Sequence, residues 1–315
     1  MELLASGQGT RPVRRPPAVH GAFTVLELLV SVAIVGLLIS LLLPAIMCAR
    51  ESARRAVCAS HLREVGVAMH SHHSSHQQLP RAWTTAERDP TFVYGWAARL
   101  LPELEQQATR QQFDIHQRPS VLVSLGDGST FFLPLLLCPS DITEKTFDLL
   151  QEEDAAEDSH VSSRSAGDAS PGPRRLIALP TANYVGVFGT WEADEFEDIR
   201  DALPEMFADG PVIHDRRVRF ADLCRGLSNT LLVGERTMAT VPSTWLGVDL
   251  RGQDAPCRLV GSAMTRPNCK ECDECEFTSR HADGSSFLWA DGRVTLVSNS
   301  VETDVYREFA RRVAR

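Results

Sequence analysis

The stretch from Phe23 to Ile46, FTVLELLVSVAIVGLLISLLLPAI, decides the architecture, because it is apolar throughout and holds one charge, Glu27. From Leu28 to Ala49 the chain runs uncharged for about 22 residues, which at roughly 1.5 Å per residue spans the ~30 Å core of a bilayer. A carboxylate placed in hydrocarbon costs about 2.5–3.5 kcal/mol even on the lenient insertion scale, so Glu27 demands a partner. The run is longer than the apolar region of a secretory signal, about 7–15 residues, and no A-x-A cleavage pattern follows Leu43.

The flanks fit an anchor. Residues 1–22 set Arg11, Arg14 and Arg15 among prolines without an apolar run, and read as a basic cytoplasmic leader. Beyond Pro44, where a kink is expected, Ile46, Ala49, Ala53, Val57, Val65 and Met69 recur at helical spacing between charged residues. One long helix, 23–76, with its membrane part at 23–46, is therefore expected to lay a narrow apolar stripe on a globular domain. His70, His72, His73 and His76 close it and, with Ser71, Ser74 and Ser75, read as a polar, fraying helix end. A metal shared by His72 and His76, four residues apart, is the alternative.

This N-terminus resembles that of type IV pilins and pseudopilins. In that family a prepilin peptidase removes a short basic leader, and the new first residue, often Phe, is methylated. The resemblance places the processing site at Ala22 and Phe23, with Ala22 where the family usually has Gly. Glu27 then falls at the fifth mature position, where the family's Glu pairs with the terminal amine of a neighbouring subunit. A buried carboxylate is tolerated when an ammonium neutralises it.

The 315 residues carry a net charge of −9. The first 76 hold seven Lys/Arg and four Asp/Glu, or +3, leaving 25 against 37, or −12, for the remainder. So acidic a body argues against a nucleic-acid partner, which wants a basic face, and suits a soluble exterior. Residues 77–315 suffice for one large core or two small ones. Within them a polar stretch, about 144–175, includes Glu152-Glu153-Asp154 and a Ser/Gly/Pro-rich run, and reads as a disordered insert. Tyr184 to Phe188, Val218 to Phe220 and Thr230 to Val233 read as strands of a mostly antiparallel sheet.

Near the C-terminus, Ser286 to Ala290 and Arg293 to Val297 are β-prone runs joined by Asp291-Gly292, the pair favoured in a two-residue type I′ hairpin. His281 precedes this hairpin and is expected to hydrogen-bond backbone near the turn; a metal or catalytic site of His281, Asp283 and Asp291 is the alternative. Ser228, in Gly226-Leu227-Ser228-Asn229-Thr230, lacks the G-x-S-x-G elbow and reads as part of a turn.

Leu101-Pro102-Glu103-Leu104-Glu105-Gln106-Gln107, Leu137-Cys138-Pro139-Ser140-Asp141, Asn183-Tyr184-Val185-Gly186, Gly226 to Thr230 with Gly234-Glu235, and Ser279-Arg280-His281 with Asp291-Gly292 occur in that order. As a set they resemble the DUF1559 family, planctomycete-type pilin-like proteins with a prepilin-type N-terminus and a C-terminal H-x9-D-G signature, met here by His281, Asp291 and Gly292. The family has no assigned biochemical activity, so the resemblance implies architecture more than role.

Of eight cysteines, Cys257, Cys269, Cys272 and Cys275 cluster, the last three as C-x2-C-x2-C among four acids, Glu271, Asp273, Glu274 and Glu276, and one Lys. Acidic neighbours disfavour thiolates, and an extracytoplasmic body favours disulfides. Zinc or iron–sulfur ligation and free thiols are the alternatives, and spacing alone does not fix the pairing.

The sequence thus predicts an α+β, pilin-like fold, in which a long N-terminal transmembrane and amphipathic helix packs on a mostly antiparallel sheet. It is expected to be a single-pass protein of the cytoplasmic membrane, with its N-terminus cytoplasmic and its domain extracytoplasmic. Its expected partners are the membrane, prepilin peptidase, and like subunits or other pilin-like proteins; no cofactor, metal or catalytic residue is expected. The alternative is a non-polymerising envelope protein whose domain binds a ligand or glycan, with Trp83, Trp96, Trp191 and Trp245 available for such a site.

Overall fold

The computed structural model describes residues 24–116, 118–119, 131–141, 144–151, 174–194, 208–214, 216–270 and 275–313. The chain divides into two units between Arg50 and Glu51. Helix α1, Val25–His76, is 52 residues long, and Pro44 lies inside it without ending it. Its N-terminus is a capping box: the Thr24 hydroxyl accepts from the Glu27 amide at 3.2 Å, and Glu27 Oε2 accepts from the Thr24 amide and hydroxyl, both at 2.9 Å. The acid that seemed unaccompanied in sequence is therefore hydrogen-bonded within its own chain. Ala22 and Phe23 lie outside the described residues. The apolar part of α1 has a mean hydropathy of 2.7 over its best window, none of it buried, so it is long and apolar enough to cross a membrane.

In the second unit α1 buries Cys58, Leu62, Val65, Gly66, Ala68, Met69 and His72. Val65 and Met69 are as expected, but Val57 is exposed, and Cys58 and Leu62 carry the inward face instead. Full burial of each large apolar side chain is worth about 1.5–3 kcal/mol. The helix stays ordered through His76 and stops where Gln77 takes a left-handed φ of 56°. The histidines are packed rather than frayed. His70 meets the Ala290 carbonyl at 3.0 Å, His72 meets Glu103 at 3.3 Å, and the Phe220 amide donates to His73 at 3.3 Å.

The strands are β1 (Trp83–Ala86), β2 (Asp89–Gly95), β3 (Thr146–Leu150), β4 (Arg175–Ala182), β5 (Tyr184–Gly189), β6 (Leu231–Glu235), β7 (Ser243–Thr244), β8 (Gly247–Asp249), β9 (Val260–Ser262), β10 (Gly284–Trp289) and β11 (Val294–Ser298). Single-turn helices α2 (Trp96–Arg99) and α3 (Gln107–Arg110) follow β2, and α4 (Thr303–Ala310) closes the chain. The central sheet has the order β11-β10-β6-β5-β9, flanked by β1-β2-β8 and β3-β4-β7. Among the described strands, every pairing is antiparallel except β5 with β9. The fold is thus α+β with antiparallel-rich sheets, as the sequence predicts.

Three local expectations need correction. Val218 to Phe220 is not a strand; Phe220 opens a 3₁₀ turn, and its ring lies 4.5 Å from His70 and 4.4 Å from His73. The polar insert does not begin at 144, since Thr146–Leu150 pairs with β4, while residues 152–173 lie outside the described set. The hairpin is not type I′: Trp289 and Arg293 enclose three residues, and Gly292 alone has positive φ, 86°. This is the three-residue loop in which a type I turn is followed by a left-handed residue. Asp291 Oδ1 accepts from the Arg293 amide at 2.9 Å and braces it. The hairpin lies against α1, where a Cβ on Gly66 would meet Leu288 Cδ1 at 2.8 Å.

Trp83, Trp96 and Trp245 are core residues, at 6%, 1% and 1% exposure, which removes them as a glycan platform. Trp191 is half-buried.

Candidate functional site

Three of the short motifs and helix α1 converge on one buried point. Cys58 arrives on the inner face of α1, Cys138 follows the 3₁₀ turn Pro134–Leu136, Glu235 ends β6, and His281 immediately precedes β10. All four are buried, and one ligand atom from each lies within 4.8 Å of the others. The Cys58 and Cys138 sulfurs are 2.6 Å apart, Cys138 Sγ is 3.6 Å from His281 Nε2, and His281 Nε2 is 3.6 Å from Glu235 Oε1. The opposite ring nitrogen, Nδ1, donates to Glu51 Oε1 at 2.6 Å.

Glu51 is one α-helical pitch from Arg54 and Arg55, and Arg54 Nη2 lies 2.6 Å from its Oε2. Ser140 adds a hydroxyl at 3.3 Å. His281 is thus oriented from behind by a carboxylate that is itself clamped.

Backbone positions are fixed with equal care. The Cys138 amide donates to Asn183 Oδ1 at 2.9 Å, and Asn183 Nδ2 donates to the Arg236 carbonyl at 3.0 Å and to Asp141 Oδ2 at 2.8 Å. Asp141 also accepts from Thr237, Met238 and Arg280. The Ser286 amide donates to Glu235 Oε2 at 3.3 Å, and the Tyr184 hydroxyl reaches the Cys58 carbonyl at 3.5 Å.

The electrostatics are those of a strongly coupled cluster. Burial resists charging of His281, but Cys138, Glu235 and Glu51 outweigh it and raise its pKa to about 9. Contact with Cys58, then burial, pushes the Cys138 thiol up. Burial opposes ionisation of Glu51, yet His281 and Arg54 hold its carboxyl below the usual value. His281 is therefore not the backbone anchor that its place beside the hairpin suggests. The H-x9-D-G signature divides: His281 serves the buried cluster, and Asp291 and Gly292 serve the turn.

The C-terminal cysteines lie elsewhere. Cys257 and Cys275 form a disulfide, and Cys269 is disulfide-bonded too, while Cys272 lies outside the described residues. The buried Arg236 guanidinium donates to the carbonyls of Cys257, Val260, Cys275 and Glu276, tying the bridge to β6 and β9.

The sequence reading missed Cys58, Cys138, Glu235 and Glu51 as site residues. A signal was present in the short motifs around Cys138, Glu235 and His281. Their union was not legible, because Cys58 is 80 residues from Cys138, and Cys138 is 143 from His281.

A second feature is a cavity of about 400 Å³ lined by Arg81, Arg99, Arg110, Arg217, His72 and His76, with Glu103 as the one acid among the described residues on its wall.

No curated protein and no solved structure gives a significant match to the chain. The profile of the family described as "Protein of unknown function (DUF1559)" matches residues 47–304, which carry every element of the buried cluster, and the chain belongs to that family.

Proposed function

We propose that the chain is a pilin-like or pseudopilin-like subunit, held in the cytoplasmic membrane by the first part of α1 and carrying an extracytoplasmic α+β domain. The observation that carries this reading is α1 itself. One uninterrupted helix joins an exposed, apolar, membrane-length segment to an amphipathic segment wedged into a globular core. Leader removal between Ala22 and Phe23 by prepilin peptidase would leave Glu27 one turn from the new amine, and like subunits would then bundle through their apolar helices. The role is structural rather than enzymatic. Ser228 sits in a 3₁₀ turn whose carbonyl accepts from Arg293 at 2.8 Å, a packing role rather than a nucleophile's.

The mass and N-terminal sequence of the mature protein from its native membrane test this proposal. A chain starting at methylated Phe23 supports it. An intact leader leaves a single-span anchored protein, and a start beyond Ala45 means a secreted domain and overturns the reading.

One observation favours the alternative of a ligand-binding envelope protein. The cavity beside His72 presents four arginines and one acid, a lining that suits an anionic ligand better than a neutral glycan. Binding of a polyanionic oligosaccharide, lost in an Arg81→Ala, Arg217→Ala double variant and undiminished for like-sized neutral sugars, would distinguish it.

A further inference from the structure

We infer that Cys58, Cys138, Glu235 and His281 form a closed zinc site that locks α1 to the sheet domain. The inference goes beyond the subunit reading and does not depend on processing at Phe23.

The donor set is a tetrahedral one for zinc: two sulfurs, an imidazole nitrogen and a carboxylate oxygen. With Zn–S of about 2.3 Å and Zn–N and Zn–O of about 2.0–2.1 Å, the edges of the tetrahedron are about 3.6 Å for S···N and 3.4 Å for N···O. The observed separations, 3.6 Å from Cys138 Sγ to His281 Nε2 and 3.6 Å from that nitrogen to Glu235 Oε1, match them. The sulfurs, 2.6 Å apart, would have to part by roughly 1.2 Å to reach a zinc dithiolate edge.

Two features separate this site from a simple pair of cysteines poised for a disulfide. Glu235 is 2% exposed and, apart from the Ser286 amide, faces Cys138 and His281, an expensive place for a carboxylate that a charged His281 or a bound dication would offset, and only the dication also draws in both sulfurs. His281 presents Nε2 to the cluster while Nδ1 donates to Glu51, the arrangement in which a second carboxylate orients a zinc-bound histidine. A disulfide would require neither residue.

Charge nearly balances around such a centre. Two thiolates and Glu235 exceed the dication by one negative charge and Glu51 adds another; Arg54 offsets one, and Arg55 is shared between Glu51 at 3.6 Å and the exposed Asp283 at 2.9 Å. Four protein donors and complete burial leave no open position, which marks a structural rather than a catalytic zinc.

The test uses the full-length chain, purified from membranes in mild detergent without chelator or reductant. Elemental analysis is expected to find one zinc per chain. After chelation without reductant and with air excluded, so that the bridges at Cys257, Cys269 and Cys275 stay closed, added Co²⁺ should give an intense thiolate-to-metal charge-transfer band and tetrahedral d–d bands. His281→Gln and Cys138→Ser should abolish both signals, and Glu51→Gln should weaken metal affinity by about 10–100-fold. Cys48→Ser and Cys224→Ser, at the exposed free cysteines, should change nothing. Should the ligand variants fail to fold, the wild-type cobalt spectrum still decides. No cobalt bands in the chelated, unreduced wild-type chain, or a Cys58–Cys138 disulfide found by mass spectrometry of the alkylated native protein, would overturn the inference.

Discussion

Replacing both Cys257 and Cys275 with Ala removes a bridge that spans a sequence separation of 18 residues. Loop closure over that length contributes about 3 kcal/mol at 25 °C, chiefly by restricting the unfolded chain. Alanine leaves small voids, since both cysteines are completely buried, so the loss should not fall below that figure. Arg236 deepens the dependence, because its guanidinium donates to the carbonyls of both cysteines and needs them held at one spacing. For a domain of this size 1 kcal/mol shifts the melting temperature by about 2–4 °C, so a fall of about 6–12 °C is expected. The assay is thermal unfolding of the full-length chain followed by tryptophan emission, with Trp96 and Trp245, each 1% exposed, as the reporters. Reductant should lower the wild type at least as far, because it also opens the bridge at Cys269, and should move the double variant by less. A double variant melting within about 1 °C of the wild type would refute the reasoning, and would mean that packing around Arg236 suffices.

Glu27→Ala should leave leader removal intact and abolish the multimer ladders obtained by crosslinking through α1, whereas Thr24→Ala should preserve them. Equal ladders from both variants would reduce Glu27 to the helix cap seen in the monomer. Gly292→Val forces a side chain into a φ of 86° and should cost about 1–2 kcal/mol by chemical denaturation, whereas Gly292→Asn should cost less. Burial opposes ionisation of Asp249, but Arg251 and Arg118, each 2.7 Å away, prevail and hold its carboxyl below 3.8. Its folded pKa is depressed, so its contribution is present above the unfolded value and lost as pH falls through the folded one. Denaturation midpoints of the wild type should therefore fall more steeply below about pH 4 than those of Asp249→Asn, and parallel curves would contradict this.

Local grammar made much of the fold legible. The apolar run and the heptad-like stripe specify α1, and β5, β6 and the C-terminal hairpin follow from β-prone runs and an Asp-Gly pair. Errors arose where tertiary contacts overrule that grammar. Val218 to Phe220 has strand composition, but the His70 and His73 rings hold Phe220 in a turn. The His-rich end of α1 reads as polar, yet His72 is buried against Glu103, from a motif 31 residues away. The type I′ expectation failed because Ala290 joins the loop and offers its carbonyl to His70.

The buried cluster lay beyond reach for a different reason. A C-x2-C run advertises chemistry through spacing, and here it drew attention to cysteines of which Cys257, Cys269 and Cys275 are disulfide-bonded. The convergent set instead takes one residue from each of four separated elements, and none carries a local signature of ligation. Its legible trace is indirect: LCPSD, NYVG, GE and SRH are short motifs without a helical or strand period to explain them. Asp141 and Asn183 account for much of that composition, since each uses its side chain to fix backbone next to a cluster residue. Motifs of this kind, too short to be elements and too polar to be core, are what a sequence shows when several loops must meet at one point in a protein interior. With zinc bound as inferred, Cys58 gives α1 a ligand at that point, and the state of four side chains sets how firmly the helix is held in the domain.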